Sequence, residues 1–323
     1  MLLRIPYFTA FVVFVVHLML PLTPAHAQNL DGCKSEPILQ RFEEFGRSGR
    51  MQLDLRFWLN DAKSQKVEPY QAFDNVYYVG VCWVSAWLIK TADGFVLIDT
   101  LHDPFTDLLI ENIRKVGVDP KDIKLVLMTH GHFDHVGGAY KVKALAPNAQ
   151  FVMTKTGWEE GVASAKQSES TTRRWIMISQ DKVAKDGDII KHGGMDFQLL
   201  ETPGHTYGTA SYVFKVTDQG KSYRAIVVGG LGLNAIEGSG QVDAYIASID
   251  RLQTMMASTS TAIDVHLTTH PFSNGLTEAA ERLKDRKPSE PHPLIDSKGF
   301  ADQIKSLRAG AVDRLAVEKK AGR

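Results

Sequence analysis

The sequence predicts an α/β fold in which β-sheets are flanked by helices in two similar halves. Short apolar strands gather between Asn75 and Met153 and again between Ile189 and Val228. Each cluster is accompanied by segments whose apolar residues recur at helical spacing. A histidine-rich loop follows one of the strands directly.

The first strands are read over Asn75 to Trp83, Val84 to Lys90 and Phe95 to Asp99, with Thr91-Ala92-Asp93-Gly94 as the turn between the last two. A helix should follow, capped by Asp103, started by Pro104 and ended by Gly117. It places Phe105, Leu108, Leu109, Ile113 and Val116 on one face. Lys124 to Met128 is an apolar run, Val136 to Leu145 is helical, and Gln150 to Met153 is a strand. The second half repeats the plan with strands around Ile189, over Met195 to Glu201, Ala210 to Lys215 and Ser222 to Val228, then a helix over Val242 to Met256. A final helix carries Phe300, Ile304, Leu307, Ala311 and Leu315 on one side, and the charged, proline-containing stretch Lys284 to Pro293 is a surface loop. No sequence-level repeat is visible.

The chain divides into three parts. Residues 1–27 carry Arg4, a mostly apolar run from Ile5 to Leu22, and Ala25-His26-Ala27 at the positions a signal peptidase reads. This predicts a cleavable signal peptide and a periplasmic or secreted protein starting at Gln28. Pro6, His17 and Pro21 interrupt the run, which argues against a retained membrane span. Residues 28–70 form an N-terminal extension packing on the core, with Leu39, Phe42 and Trp58 as attachment points, and residues 71–323 form the main domain.

With 323 residues, 44% hydrophobic and 23% charged, the chain can bury a sizeable core. Lys plus Arg and Asp plus Glu both number 37, and removal of the leader leaves 36 against 37. No concentrated basic face points to nucleic acid, because phosphate-backbone binding needs one. The partner expected is a small-molecule substrate, with no membrane contact after signal cleavage. Cys33 and Cys82 are free to pair in an oxidising compartment, and neither has a metal-like spacing.

Thr129-His130-Gly131-His132-Phe133-Asp134-His135 concentrates three imidazoles and a carboxylate in one loop. Zinc takes imidazole nitrogen and carboxylate oxygen, and a catalytic site keeps one position open. His130 and His132 leave the strand end at alternate positions and can turn toward one ion. Asp134 and His135 face the other side of the loop, where a second ion could sit. Two metals about 3.5–4 Å apart can clamp both the attacked oxygen and the leaving atom. Further ligands are sought at His205, after the Pro203-Gly204 turn, and at His270, before Pro271. His266 alternates into its strand and is read as a packed or hydrogen-bonded core histidine. Asp99, at the end of a buried-looking strand, is the first choice for a carboxylate that orients a ligand imidazole, with helix capping or loop bracing as the alternative. Trp83, Trp87, Tyr207 and Asn234 could line a cleft, but no substrate-binding residue is assigned.

From Asn75 to the C-terminus the chain resembles the metallo-β-lactamase superfamily, and within it the third subclass of class B β-lactamases. The motifs are the histidine-rich loop, Phe95-Val96-Leu97-Ile98-Asp99-Thr100, Pro203-Gly204-His205-Thr206 and the terminal helix. The resemblance implies an αββα sandwich and two zinc ions, the first on His130, His132 and His205 and the second on Asp134, His135 and His270. The bridging Asp of many superfamily members has no counterpart, because Gly229-Gly230-Leu231-Gly232 stands in its place. The β-lactamases of this subclass usually carry serines there that help hold the substrate carboxylate, which Gly230 and Gly232 cannot do. The expected function is an exported dinuclear zinc hydrolase opening the β-lactam amide by attack of a metal-bound hydroxide, with Asp134 as catalytic residue. The alternatives are a hydrolase of a lactone or thioester and a non-catalytic periplasmic metal-binding protein.

Overall fold

The computed structural model describes residues 30, 32–48 and 50–322, so the predicted leader lies outside the described residues. The N-terminal segment forms α1 (Ser35–Ser48), α2 (Leu53–Trp58) and α3 (Ala62–Gln65). On α1, Ile38, Phe42 and Phe45 face the core at helical spacing, and Phe42 stacks on Phe272 at 4.6 Å. Leu39 points outward and is not an attachment point, because its neighbour Ile38 holds the inward position. Trp58 is buried.

A seven-stranded sheet follows: β1 (Tyr70–Phe73), β2 (Val76–Tyr78), β3 (Trp87–Thr91), β4 (Gly94–Ile98), β5 (Ile123–Leu127), β6 (Gln150–Met153) and β7 (Lys182–Val183), in that spatial order. Its first four strands are antiparallel meanders and its last three add in parallel. The parallel additions need crossovers. These are α4 (Phe105–Lys115) between β4 and β5, the short α5 (Phe133–Val136) with α6 (Ala139–Leu145) between β5 and β6, and α7 (Lys155–Ser168) after β6. The second sheet has the order β12-β11-β10-β9-β8, built from β8 (Ile189–His192), β9 (Met195–Glu201), β10 (Ala210–Asp218), β11 (Lys221–Val227) and β12 (Val265–His266). Only β11 and β12 pair in parallel. Outside this sheet lie α8 (Ser239–Met256) and α10 (Ser297–Lys320), while α9 (Leu276–Lys284) packs beside α1.

One apolar layer lies between the sheets, with Val96, Ile98, Leu125 and Leu127 meeting Phe197, Tyr212, Phe214 and Val227. A second layer seals the outer face of the first sheet with Phe105, Leu109, Ile113 and Trp158. A third joins Ile226 and Val228 to Val242, Ile249, Phe300 and Ile304. The result is the helix–sheet–sheet–helix sandwich expected from the sequence.

Three local expectations differ from the structure. Residues 79–86, read as parts of two strands, form a tight loop in which the Val81 amide donates to the Val84 carbonyl and the Val79 amide to the Ala86 carbonyl. Asp103 does not cap α4; its carboxylate meets Lys141 and the Tyr140 hydroxyl instead. The surface stretch after α9 is anchored, since His292 is buried and stacks on Phe73 at 4.3 Å. Among the described residues no helix is long and apolar enough to cross a membrane.

Candidate metal centre

The parallel strands β4 and β5 end side by side, and their carboxyl ends deliver Asp99 and the loop Thr129 to His135 to one rim of the sandwich. The turn after β9 brings His205 to the same rim, and the segment after β12 brings His270. In open α/β sheets the loops at strand carboxyl ends are where ligands bind.

Two trios form there. His130, His132 and His205 offer ligand atoms within 4.8 Å of one another, as do Asp134, His135 and His270. His132 Nδ1 lies 3.1 Å from both His130 Nε2 and His205 Nε2. His135 Nε2 lies 3.3 Å from His270 Nε2 and 3.3 Å from Asp134 Oδ2. The two trios adjoin, with the His130 and His135 rings 4.2 Å apart. A tetrahedral zinc with Zn–N bonds of about 2.0–2.1 Å has ligand edges of roughly 3.3 Å, so the donor spacing and chemistry fit such an ion.

In four of the five imidazoles the other ring nitrogen is engaged, which fixes the atom left free. His205 Nδ1 donates to the Gly232 carbonyl and His270 Nδ1 to the Trp83 carbonyl, both at 2.6 Å. His135 Nδ1 donates to Asp99 Oδ2 at 2.8 Å. His130 Nδ1 reaches the Thr129 hydroxyl at 3.0 Å, and that hydroxyl donates to Asp99 Oδ2. Asp99 also accepts from the Thr129 amide at 2.8 Å. One buried carboxylate thus braces an imidazole of each trio, directly or through Thr129. Asp99 and Leu101 both hold positive φ, at 62° and 58°. Such backbone is uncommon outside glycine and clusters at functional sites.

Glycines let the loops close. A Cβ on Gly131 would stand 2.5 Å from the Gly161 amide nitrogen, so only glycine allows the histidine loop to seat on α7. A Cβ on Gly230 would stand 2.5 Å from His205.

Burial lowers His132 to about 3 and His205 and His270 to about 4, with mutual repulsion among the imidazoles adding to the effect, and it pushes His130 well below the ordinary range. These rings are neutral and keep lone pairs for a metal. Burial also penalises a charge on His135, but Asp134 and Asp99 outweigh it and hold that ring up at about 10. Burial would raise Asp134; the neighbouring His135 overrides it and holds the carboxyl well below the usual carboxylate range.

The other singled-out residues separate. His266 is buried, bonds Gln303 through Nδ1 and packs on Phe300, apart from both trios. Trp87 lies in the core between the sheets, its indole N–H on the Thr268 carbonyl. Trp83 lies beside the site, its ring 5.7 Å from His270. Tyr207 and Asn234 are exposed. Sequence reasoning passed over Thr129, the Trp83 and Gly232 carbonyls, and Gln241, whose amide donates to the Gly204 and His205 carbonyls. Only Thr129 left a signal, as a hydroxyl beside the first candidate ligand.

A family model for the metallo-beta-lactamase superfamily matches residues 79–218. These residues are a metallo-beta-lactamase superfamily domain. Among solved structures, BJP-1, a subclass B3 metallo-beta-lactamase of Bradyrhizobium japonicum, superimposes with a TM-score of 0.70 at 27% identity, over 80% of this chain and 97% of that one. Among curated proteins, a hydroxyacylglutathione hydrolase of Rhodopseudomonas palustris (strain HaA2) is 35% identical over 112 residues, 33% of this chain and 34% of that protein. An N-acyl homoserine lactonase of a Bacillus species is 28% identical over 160 residues, 42% of this chain and 60% of that protein. The chain thus spans between one third and three fifths of these curated relatives. The superfamily domain and its subclass B3 neighbour indicate a metal-dependent hydrolase.

Proposed function

We propose that this superfamily member is a dinuclear zinc hydrolase, exported through residues 1–27, that opens the amide of β-lactams. The observation that carries the reading is the paired donor set: three imidazoles on one side, and Asp134, His135 and His270 on the other. Gly229-Gly230-Leu231-Gly232 beside His205 supplies no carboxylate to bridge the two, in keeping with the β-lactamase-like arrangement. The Cys33–Cys82 disulfide, with Cα atoms 5.2 Å apart, supports passage through an oxidising compartment.

His130, His132 and His205 would hold one ion, and Asp134, His135 and His270 the other. When bound, the ions supply Lewis-acid polarisation of the scissile carbonyl and lower the pKa of water to about 7. Asp134 gives one oxygen to its trio and keeps the other to orient the attacking water. Asp99 and Thr129 hold His130 and His135 in the tautomers that present Nε2. No side-chain nucleophile is required.

A second reading, hydrolysis of a lactone or thioester, is favoured by one observation. Gly230 packs against His205 so closely that a substrate-holding serine cannot stand there without displacing the histidine. Hydrolysis of nitrocefin, a carbapenem, acyl lactones and acyl thioesters by the purified protein tests the two. β-Lactam turnover supports the first reading, and turnover of lactones or thioesters alone replaces it with the second.

A further inference from the structure

Within the second trio His270 is the most open, its side chain 22% exposed where His135 shows 1% and Asp134 10%. Its outward nitrogen, Nδ1, is held by the Trp83 carbonyl. That carbonyl lies in the loop 79–86, where the bonds from Val79 to Ala86 and from Val81 to Val84, with the Ser85 amide on the Thr269 carbonyl, leave the Cys82–Trp83 segment to be held from outside. The N-terminal segment holds it from two sides. Cys82, next to Trp83, is joined by the disulfide to Cys33, just before α1. Gln65, fully buried at the end of α3, accepts from the Cys82 amide through its backbone carbonyl at 3.0 Å and from the Trp83 amide through Oε1 at 3.1 Å. Its own amide donates to the Trp58 carbonyl at 2.9 Å, which ties the loop back to α2. On the other side of His270, Phe272 stacks on Phe42 of α1 at 4.6 Å and 8°.

We infer that residues 33–65 are a positioning brace for His270: the Cys33–Cys82 disulfide and Gln65 set the Trp83 carbonyl, and Phe42 sets the turn that follows the ligand. The disulfide, the Phe42 ring contact and the Gln65 hydrogen bonds all end on the Trp83 loop, Phe272 and Trp58, and none of them reaches the first trio. Groups that orient metal-bound imidazoles change metal affinity by about 10–100-fold when lost. This inference rests on the ligand assignment proposed above.

The test is calorimetric titration of the metal-free protein with zinc, resolving two equivalents. Variants H205A and H270A assign each equivalent to its trio. In C33S/C82S, the His270-dependent equivalent should weaken by about 10–100-fold while the His205-dependent one stays within about twofold. Where the double variant does not fold, as judged by circular dichroism, Gln65→Met decides, because it removes the oxygen facing the Trp83 amide and leaves the disulfide. Equal weakening of both equivalents, or no change in either, would overturn the brace. An H270A protein that still binds two equivalents would overturn the ligand assignment instead.

Discussion

Replacing Asp99 with Asn keeps the shape of the side chain and tolerates the positive φ of 62°, since Asn is among the few residues enriched there. What changes is the hydrogen bonding. Oδ1 accepts from the Thr129 amide, and Oδ2 accepts from the Thr129 hydroxyl and His135 Nδ1. An amide has one acceptor oxygen, so either flip turns an NH2 group against a buried donor. The Thr129 hydroxyl can rotate, but the backbone amide and the imidazole N–H cannot both be satisfied. One stranded buried donor costs about 1–3 kcal/mol, and losing a charge-assisted bond adds to it, for a total of about 2–4 kcal/mol. Denaturant unfolding of the chelated protein measures this without metal linkage. Zinc titration of the same variant should show both equivalents weakened, roughly tenfold or more, because Asp99 braces one imidazole in each trio. A D99N protein within about 0.5 kcal/mol and twofold of the wild type would refute the reasoning.

Gly230→Ser should cost about 1–3 kcal/mol and weaken the His205-dependent equivalent, because its Cβ meets a ring already tied to the Gly232 carbonyl. Gly232→Ser should be near neutral in the same unfolding assay, since its Cβ crowds the exposed Asn234 amide, which can swing away, and meets the His205 ring only at an ordinary contact distance of 3.7 Å. Without metal, stability should be greatest near neutral pH. His132, His205 and His270 stay neutral when folded but protonate below about 6.5 when unfolded, so stability falls from pH 6.5 toward 4. His135, held up at about 10, contributes stability that is complete below 6.5 and is lost as pH rises to 10. Unfolding of the chelated protein at pH 5, 7 and 10 checks both limbs, and the alkaline one should flatten in His135→Gln.

The histidine-rich loop, His205 after Pro-Gly and His270 before proline, which the fold gathers into two trios able to hold a metal, were legible because imidazole and carboxylate side chains at strand ends stand out in a sequence. The strands that deliver them were legible from apolar runs, since both faces of these sheets are covered. Residues 79–86 were not, because Val81, Trp83 and Val84 have the composition of a strand while their backbone bonds close a turn. Helix α7 was hidden by Gly157 and Gly161, poor helix formers that are small enough to receive Gly131. The Trp83 and Gly232 carbonyls that orient His270 and His205 belong to the backbone, which carries no sequence signature. Asp103 was read as a cap from its position before Pro104, and only the tertiary structure brings Lys141 to it.

The proposed function requires two adjoining metal sites. Metal content by mass spectrometry, taken with β-lactam and lactone turnover before and after chelation, tests it most directly. Two zinc ions per chain and turnover that chelation abolishes and zinc restores are the predicted result. A purified, folded protein with no metal above background, or with turnover indifferent to the chelator, would contradict it.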